Sequence, residues 1–165
     1  MNDRIGAIIL AGGLSSRMGR DKATLEIDGK TLLERLILIS QPHVSEIVVM
    51  RAYGQSIPKI SKEHQQFIKF GRDTKDFQGP LQGIADALPL LKNEIDKIFV
   101  LTCDLPYLTT FWLKTLKDIL TDEFDIVCSE VNNIANPLLA IYRRKVLESA
   151  SNYLSEGKRR PVYLW

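Results

Sequence analysis

At 165 residues the chain is long enough for one domain with a substantial core and too short for two of ordinary size. Its residues are 45% hydrophobic and 25% charged, and the net charge of +2 lacks the basic excess of a nucleic-acid reader. No apolar run is long enough to span a membrane, and Asp3 and Arg4 interrupt the start where a signal peptide would need apolar residues, so the sequence reads as cytoplasmic.

In chain order, residues 5–10 form a continuous apolar run, the pattern of a strand buried on both faces. It breaks into Gly12-Gly13, and Arg17, Arg20 and Lys22 follow. Residues 25–27 alternate up to an Asp28-Gly29 turn, which predicts a short hairpin-like excursion. Thr31 with Glu34 three residues on predicts a capped helix that ends before Pro42. Strands are predicted at 47–50, 67–70, 98–101, 125–128 and 138–142, and a loop from 51 to 62. Gly79-Pro80 opens a helix that Pro89 cuts, Thr109 or Thr110 opens another, and 144–155 is helical in pattern with Gly157 as its cap. Strands alternating with helices predict a doubly wound, mostly parallel three-layer α/β domain over 1–165, with ligands beyond the carboxyl ends of the strands.

Three places there carry chemistry. The run from Leu10 through Ala11, Gly12 and Gly13 lets backbone approach an anion without a Cβ in the way, and Arg17 and Lys22 put positive charge at the same rim. The run lacks the later glycines of a dinucleotide fingerprint, which disfavours a dehydrogenase, and the G-K-[ST] of a Walker loop. Asp104 follows the apolar run 98–101; alone it fits an Asx-turn or helix cap as well as a metal ligand. Asp73 and Asp76 lie in the loop before Gly79 and on their own read as solvated carboxylates. Cys103 and Cys128 sit in apolar runs as buried thiols, and their spacing, with His43 and His64 in polar segments, matches no zinc pattern.

The string LAGG-x-S-x-RMG-x-DK at 10–22 resembles the signature of the molybdenum-cofactor guanylyltransferases, the MobA-like nucleotidyltransferases. Cys103-Asp104-Leu105-Pro106 is similar to that family's CD-x-P element, and Gly79-Pro80-Leu81-Gln82-Gly83 to its GPL-x-G. The resemblance implies a Rossmann-like fold and Mg²⁺ held by Asp104. It implies a nucleotide bound by Leu10, Ala11, Gly12, Gly13, Lys22, Asp73, Gly79 and Asp104, with Asp76 as the alternative to Asp73. Lys22, Arg17 and Asp104 would be catalytic. Asn136-Pro137-Leu138 and Gly157-Lys158-Arg159-Arg160 resemble elements on the side of the pterin acceptor, which assigns Asn136, Arg159 and Arg160 to it; the same cations also read as a basic surface turn. Asp21 is expected to orient the loop or pair with a neighbouring cation.

The reaction so implied transfers GMP from GTP to the phosphate of a molybdopterin-type cofactor and releases pyrophosphate. Two departures keep alternatives open. Where the family often has an asparagine that helps recognise guanine, this chain has Met50-Arg51, and no N-x-NTP-like motif follows the G-x-R-R segment, as though the family's C-terminal segment were lacking. The same fold using CTP or a sugar-phosphate acceptor, and a nucleotide-binding domain with weak turnover, stay in view.

Overall fold

The computed structural model describes residues 4–12, 21–52, 55, 60–75 and 78–165. Strand β1 (Ile5–Leu10) lies inside a six-stranded sheet, and all six of its residues are buried. It pairs in parallel with β4 (Glu46–Arg51) on one side and with β6 (Lys97–Thr102) on the other. After the short helix α2 (Lys62–Gln65), β5 (Ile68–Arg72) lies beyond β4, also parallel. Beyond β6 comes β8 (Ile134–Arg143), which runs antiparallel and carries β7 (Ile126–Val131) at the edge. The order is therefore β5-β4-β1-β6-β8-β7, mostly parallel as the alternation predicts.

Helices cover both faces because side chains alternate along each strand. Ile5, Ala7 and Ile9 of β1 join Ile47, Val49, Phe99 and Leu101 in a core completed by α1 (Leu32–Ser40) and α4 (Thr110–Ile119). Ile8 and Leu10 join Val48, Met50, Ile98 and Val100 in the opposite core, under α3 (Pro80–Ala87) and α6 (Ala150–Ser155). The chain runs from β1 outward to β5 and then crosses back to β6. The carboxyl ends of β1 and β6 thus flank the point where the winding reverses, the place where open α/β sheets bind ligands.

Local sequence signals hold. Asp28 and Gly29, with φ of 53° and 74°, turn the two-residue strands β2 (Glu26–Ile27) and β3 (Lys30–Thr31) back on each other. The Thr31 hydroxyl accepts from the Glu34 amide at 3.1 Å, and the Glu34 carboxylate accepts from the Thr31 amide at 3.0 Å. This capping box is worth about 1 kcal/mol to α1. Pro89 ends α3 in a short 3-10 turn, Leu88–Leu90.

Some boundaries move. The strand expected at 67–70 is Ile68–Arg72, because Gly71 and Arg72 pair with Met50 and Arg51. The helix expected over 144–155 is two, α5 (Arg144–Leu147) and α6; between them the Ser149 hydroxyl donates to the Val146 carbonyl at 2.7 Å and competes with the helical ladder. Cys103 is buried as expected, but Cys128 is only half-buried, next to a register shift in β7. Arg51 belongs to no loop: it is the last residue of β4 and wholly buried.

Candidate nucleotide site

The turn after β1 is seated by its backbone. The Ala11 amide donates to the Met50 carbonyl at 2.9 Å, and the Cys103 amide donates to the Leu10 carbonyl at 3.4 Å. Gly12 presses on the end of β4: a Cβ there would overlap the backbone nitrogen of Ala52. Glycine is therefore required by the approach of two backbones, whatever else Gly12 binds. Gly13 and Arg17 lie outside the described residues, as does Asp76.

After that loop the chain is described again at Asp21. Its carboxylate caps the short 3-10 turn Lys22–Thr24 by accepting from the Ala23 amide at 3.0 Å. Lys22, the first residue of the turn, reaches Asp104 beyond β6, with Nζ–Oδ1 at 2.8 Å. Both side chains are partly open to water, 41% and 55% exposed. Lys22, from the segment after β1, and Asp104, from the one after β6, thus meet at the switch point as expected. An exposed pair of this kind adds at most about 1 kcal/mol to stability, so a ligand can part it at small cost.

The cation that Asp21 was expected to find is Arg51. The Arg51 guanidinium is wholly buried; it binds the Ala11 carbonyl and makes an ion pair with Asp21. From the sequence, Arg51 reads as the start of a loop and as a departure from an asparagine in the family. Its engagement explains the departure in part, since a buried guanidinium held this way does not read a base. The signal that could have found it is a charged residue immediately after four apolar ones at the end of a buried strand.

Asp73 follows β5, its amide donating to the Arg51 carbonyl at 2.9 Å. Its carboxylate lies over Gly83 of α3, where an added Cβ would stand 3.2 Å from Oδ1 and 2.9 Å from the Leu10 side chain. Burial first, then the nearby Asp86 carboxylate, pushes the Asp73 carboxyl up to about 6. The loop is tied to α3 through Thr74, whose amide donates to Asp86 at 2.8 Å, and Gln82 also donates to Asp86 at 3.0 Å.

Between the ordinary value of 3.8 and about 6 the folded chain keeps a proton on Asp73 that the unfolded chain has lost, so stability falls as pH rises through this window. Asp73→Asn removes the penalty. We expect it to raise stability above pH 6 by on the order of 1 kcal/mol, after allowing for water at this half-buried group, and not at pH 4. Thermal unfolding of both forms across pH 4 to 7 checks this, and a constant difference would contradict it.

The acceptor candidates come from β8 and from the segment after α6. Asn136 lies in the part of β8 that runs past the carboxyl end of β6, and its Oδ1 accepts from the Leu138 amide at 3.0 Å. Arg159 is turned onto its own segment, donating to the Leu154 carbonyl at 2.8 Å and the Lys158 carbonyl at 3.2 Å. Arg160 is exposed. Gly79 has φ of 74°, and a Cβ on it would come within 2.9 Å of the Arg159 carbonyl, which also accepts from the Leu81 amide at 3.3 Å. A residue expected on the nucleotide and one expected on the acceptor thus touch at the start of α3, and this contact accounts for the glycine by itself.

Cys103, beside Asp104, is buried and its thiol is pushed up to about 12, chiefly by burial, so it is no nucleophile. Among the described residues no three His, Cys, Asp or Glu side chains gather as a metal cage, and no helix is long and apolar enough to cross a membrane. Asp104 offers a hard oxygen donor with open space around it. One carboxylate with room for water and phosphate oxygens is a donor set that suits Mg²⁺.

A wound α/β sheet that brings a glycine turn, a lysine and an aspartate together at its switch point has the layout of a nucleotidyltransferase. The chain belongs to the family of the MobA-like NTP transferase domain, whose model matches residues 7–164. It is 31% identical over 156 residues to the "Probable molybdenum cofactor guanylyltransferase" of Bacillus cereus, covering 92% of this chain and 74% of that one. It is 31% identical over 164 residues to the "Molybdenum cofactor guanylyltransferase" of Shewanella amazonensis, covering 97% and 80%. The crystal structure of molybdopterin-guanine dinucleotide biosynthesis protein A from Archaeoglobus fulgidus superposes with a TM-score of 0.70 at 21% identity, over 96% of this chain and 77% of that one, a likeness of fold.

Proposed function

We propose that this nucleotidyltransferase moves GMP from GTP to the terminal phosphate of a molybdopterin-type cofactor, the activity for which its relatives are named. An oxygen of the acceptor phosphate attacks the α-phosphorus of GTP, a new P–O–P link forms, and the bond to pyrophosphate breaks. The observation that carries the reading is the meeting of Lys22 and Asp104 where the winding of the sheet reverses.

The attacking oxygen is already anionic, so no strong general base is needed. What the chain supplies is placement and charge. The Gly12 backbone lies against the triphosphate, Lys22 neutralises charge that moves onto pyrophosphate, and Asp73 holds the nucleoside side from across Leu10. Arg17, outside the described residues, takes its part from the family resemblance alone. Mg²⁺ on Asp104 would add charge neutralisation at the phosphate oxygens. Asn136, Arg159 and Arg160 remain assigned to the acceptor; of the three, exposed Arg160 is the one whose charge is free to meet a phosphate.

The test supplies each of the four nucleoside triphosphates with molybdopterin and Mg²⁺. Pyrophosphate should appear one-for-one with a guanylylated product, and only with GTP. Transfer from CTP, or none to molybdopterin while a sugar phosphate accepts, would replace the proposed substrates. Nucleotide binding without pyrophosphate release would remove the activity.

A further inference from the structure

We propose that Arg51 is the positioning residue that sets the nucleotide loop, by joining its two ends and the Asp73 segment through one buried side chain and its backbone. The guanidinium binds the Ala11 carbonyl, immediately before Gly12, and the Asp21 carboxylate, immediately before Lys22. The Arg51 carbonyl accepts from the Asp73 amide at 2.9 Å. Thus the two chemical parts of the loop and the carboxylate across Leu10 refer to one residue at the end of β4.

The chemistry favours a clip over simple core filling. A buried guanidinium is costly unless its donors are met, and a fork of planar donors suits two acceptors at a fixed separation. Ala11 follows Leu10, which pairs with Met50, so the sheet itself brings its carbonyl beside Arg51; Asp21 belongs to no strand or helix packed on β4. One is the carbonyl at the exit of β1 and the other caps the turn that starts at Lys22. The Gly12 end stays held by the sheet, so loss of the clip frees the Lys22 end to move away from it, and nucleotide must then bring the two together itself. Apparent affinity falls by the fraction of time the loop is set.

The inference rests on the functional reading above, and its test separates the two. Arg51→Met can fail to fold because it strands Asp21, so the main variant is Asp21→Asn, with Arg51→Lys as the conservative partner. The readouts are Tm, amide exchange at Ala23 and Thr24 without nucleotide, and GTP affinity. With a clip, Asp21→Asn exchanges those amides at least tenfold faster while amides of β6 and α3 keep their rates, and GTP binds about tenfold more weakly. A lysine cannot span both acceptors, so Arg51→Lys should behave likewise, and the double variant should be no worse than either alone. Unchanged exchange in Asp21→Asn, or wild-type exchange in Arg51→Lys, would overturn the clip. Failure of the wild-type chain to bind any nucleoside triphosphate would sink the functional reading, while exchange would still decide whether Arg51 sets the loop.

Discussion

Asp104→Asn should cut nucleotidyl transfer about a hundred- to a thousandfold while leaving the fold intact. The side chain is 55% exposed and its ion pair with Lys22, at 2.8 Å, is of the surface kind, so stability should change by less than about 1 kcal/mol. The expected loss in rate follows from the proposed role of Asp104: its anionic oxygen would anchor a divalent ion whose charge stabilisation matters most as pyrophosphate departs. Raising Mg²⁺ should recover little, because an amide oxygen is a poor substitute for a carboxylate. Pyrophosphate release across a Mg²⁺ titration, with thermal unfolding as the control, measures both halves. Activity within tenfold of wild type at limiting Mg²⁺ would remove Asp104 from the metal site.

Gly12→Ala should be the more destructive change. Its new Cβ would overlap the Ala52 backbone nitrogen, and neither backbone can yield: one continues β1 and the other follows β4, both held in the sheet. Overpacking against rigid backbone costs about 2–3 kcal/mol. Any relaxation moves the Gly12 backbone away from where a triphosphate would lie, so GTP affinity should collapse even in molecules that fold. Gly29→Ala is the contrasting case. Gly29, unlike Gly12, has a left-handed φ, 74°, and nothing beyond its chain neighbours lies within 4 Å of an added Cβ. That change should cost about 1 kcal/mol by conformation alone and leave GTP binding as it was. If both substitutions had equal effects on GTP affinity, the close approach at Gly12 would have no functional meaning.

Much of the fold was legible because its signals are local. The apolar runs at 5–10 and 98–101 announce buried parallel strands, Asp28-Gly29 announces a turn, and Thr31 with Glu34 announces a helix start; each needs only neighbours within a few residues. The meeting of Lys22 and Asp104 was legible at one remove, since both come after strands and a wound sheet gathers its post-strand segments at one end. The features that stayed hidden depend on distant partners. Arg51 looks like the first residue of a polar loop, and only Asp21 and Ala11, far along the chain, explain how its charge can be buried. Gly79 looks like part of a nucleotide element, yet its neighbour is the Arg159 backbone. The break at Ser149 turns on one hydroxyl finding the carbonyl of Val146, which a helical period cannot reveal.

The proposed function requires one nucleoside triphosphate to lie between the Gly12 backbone and the Lys22–Asp104 pair. A crystal structure of the chain with a non-hydrolysable GTP analogue and Mg²⁺ tests it most directly. The phosphates should lie against Gly12 and Lys22, with Asp104 turned from the lysine to the metal. A nucleotide seated elsewhere, or bound with the Lys22–Asp104 pair still closed, would contradict it.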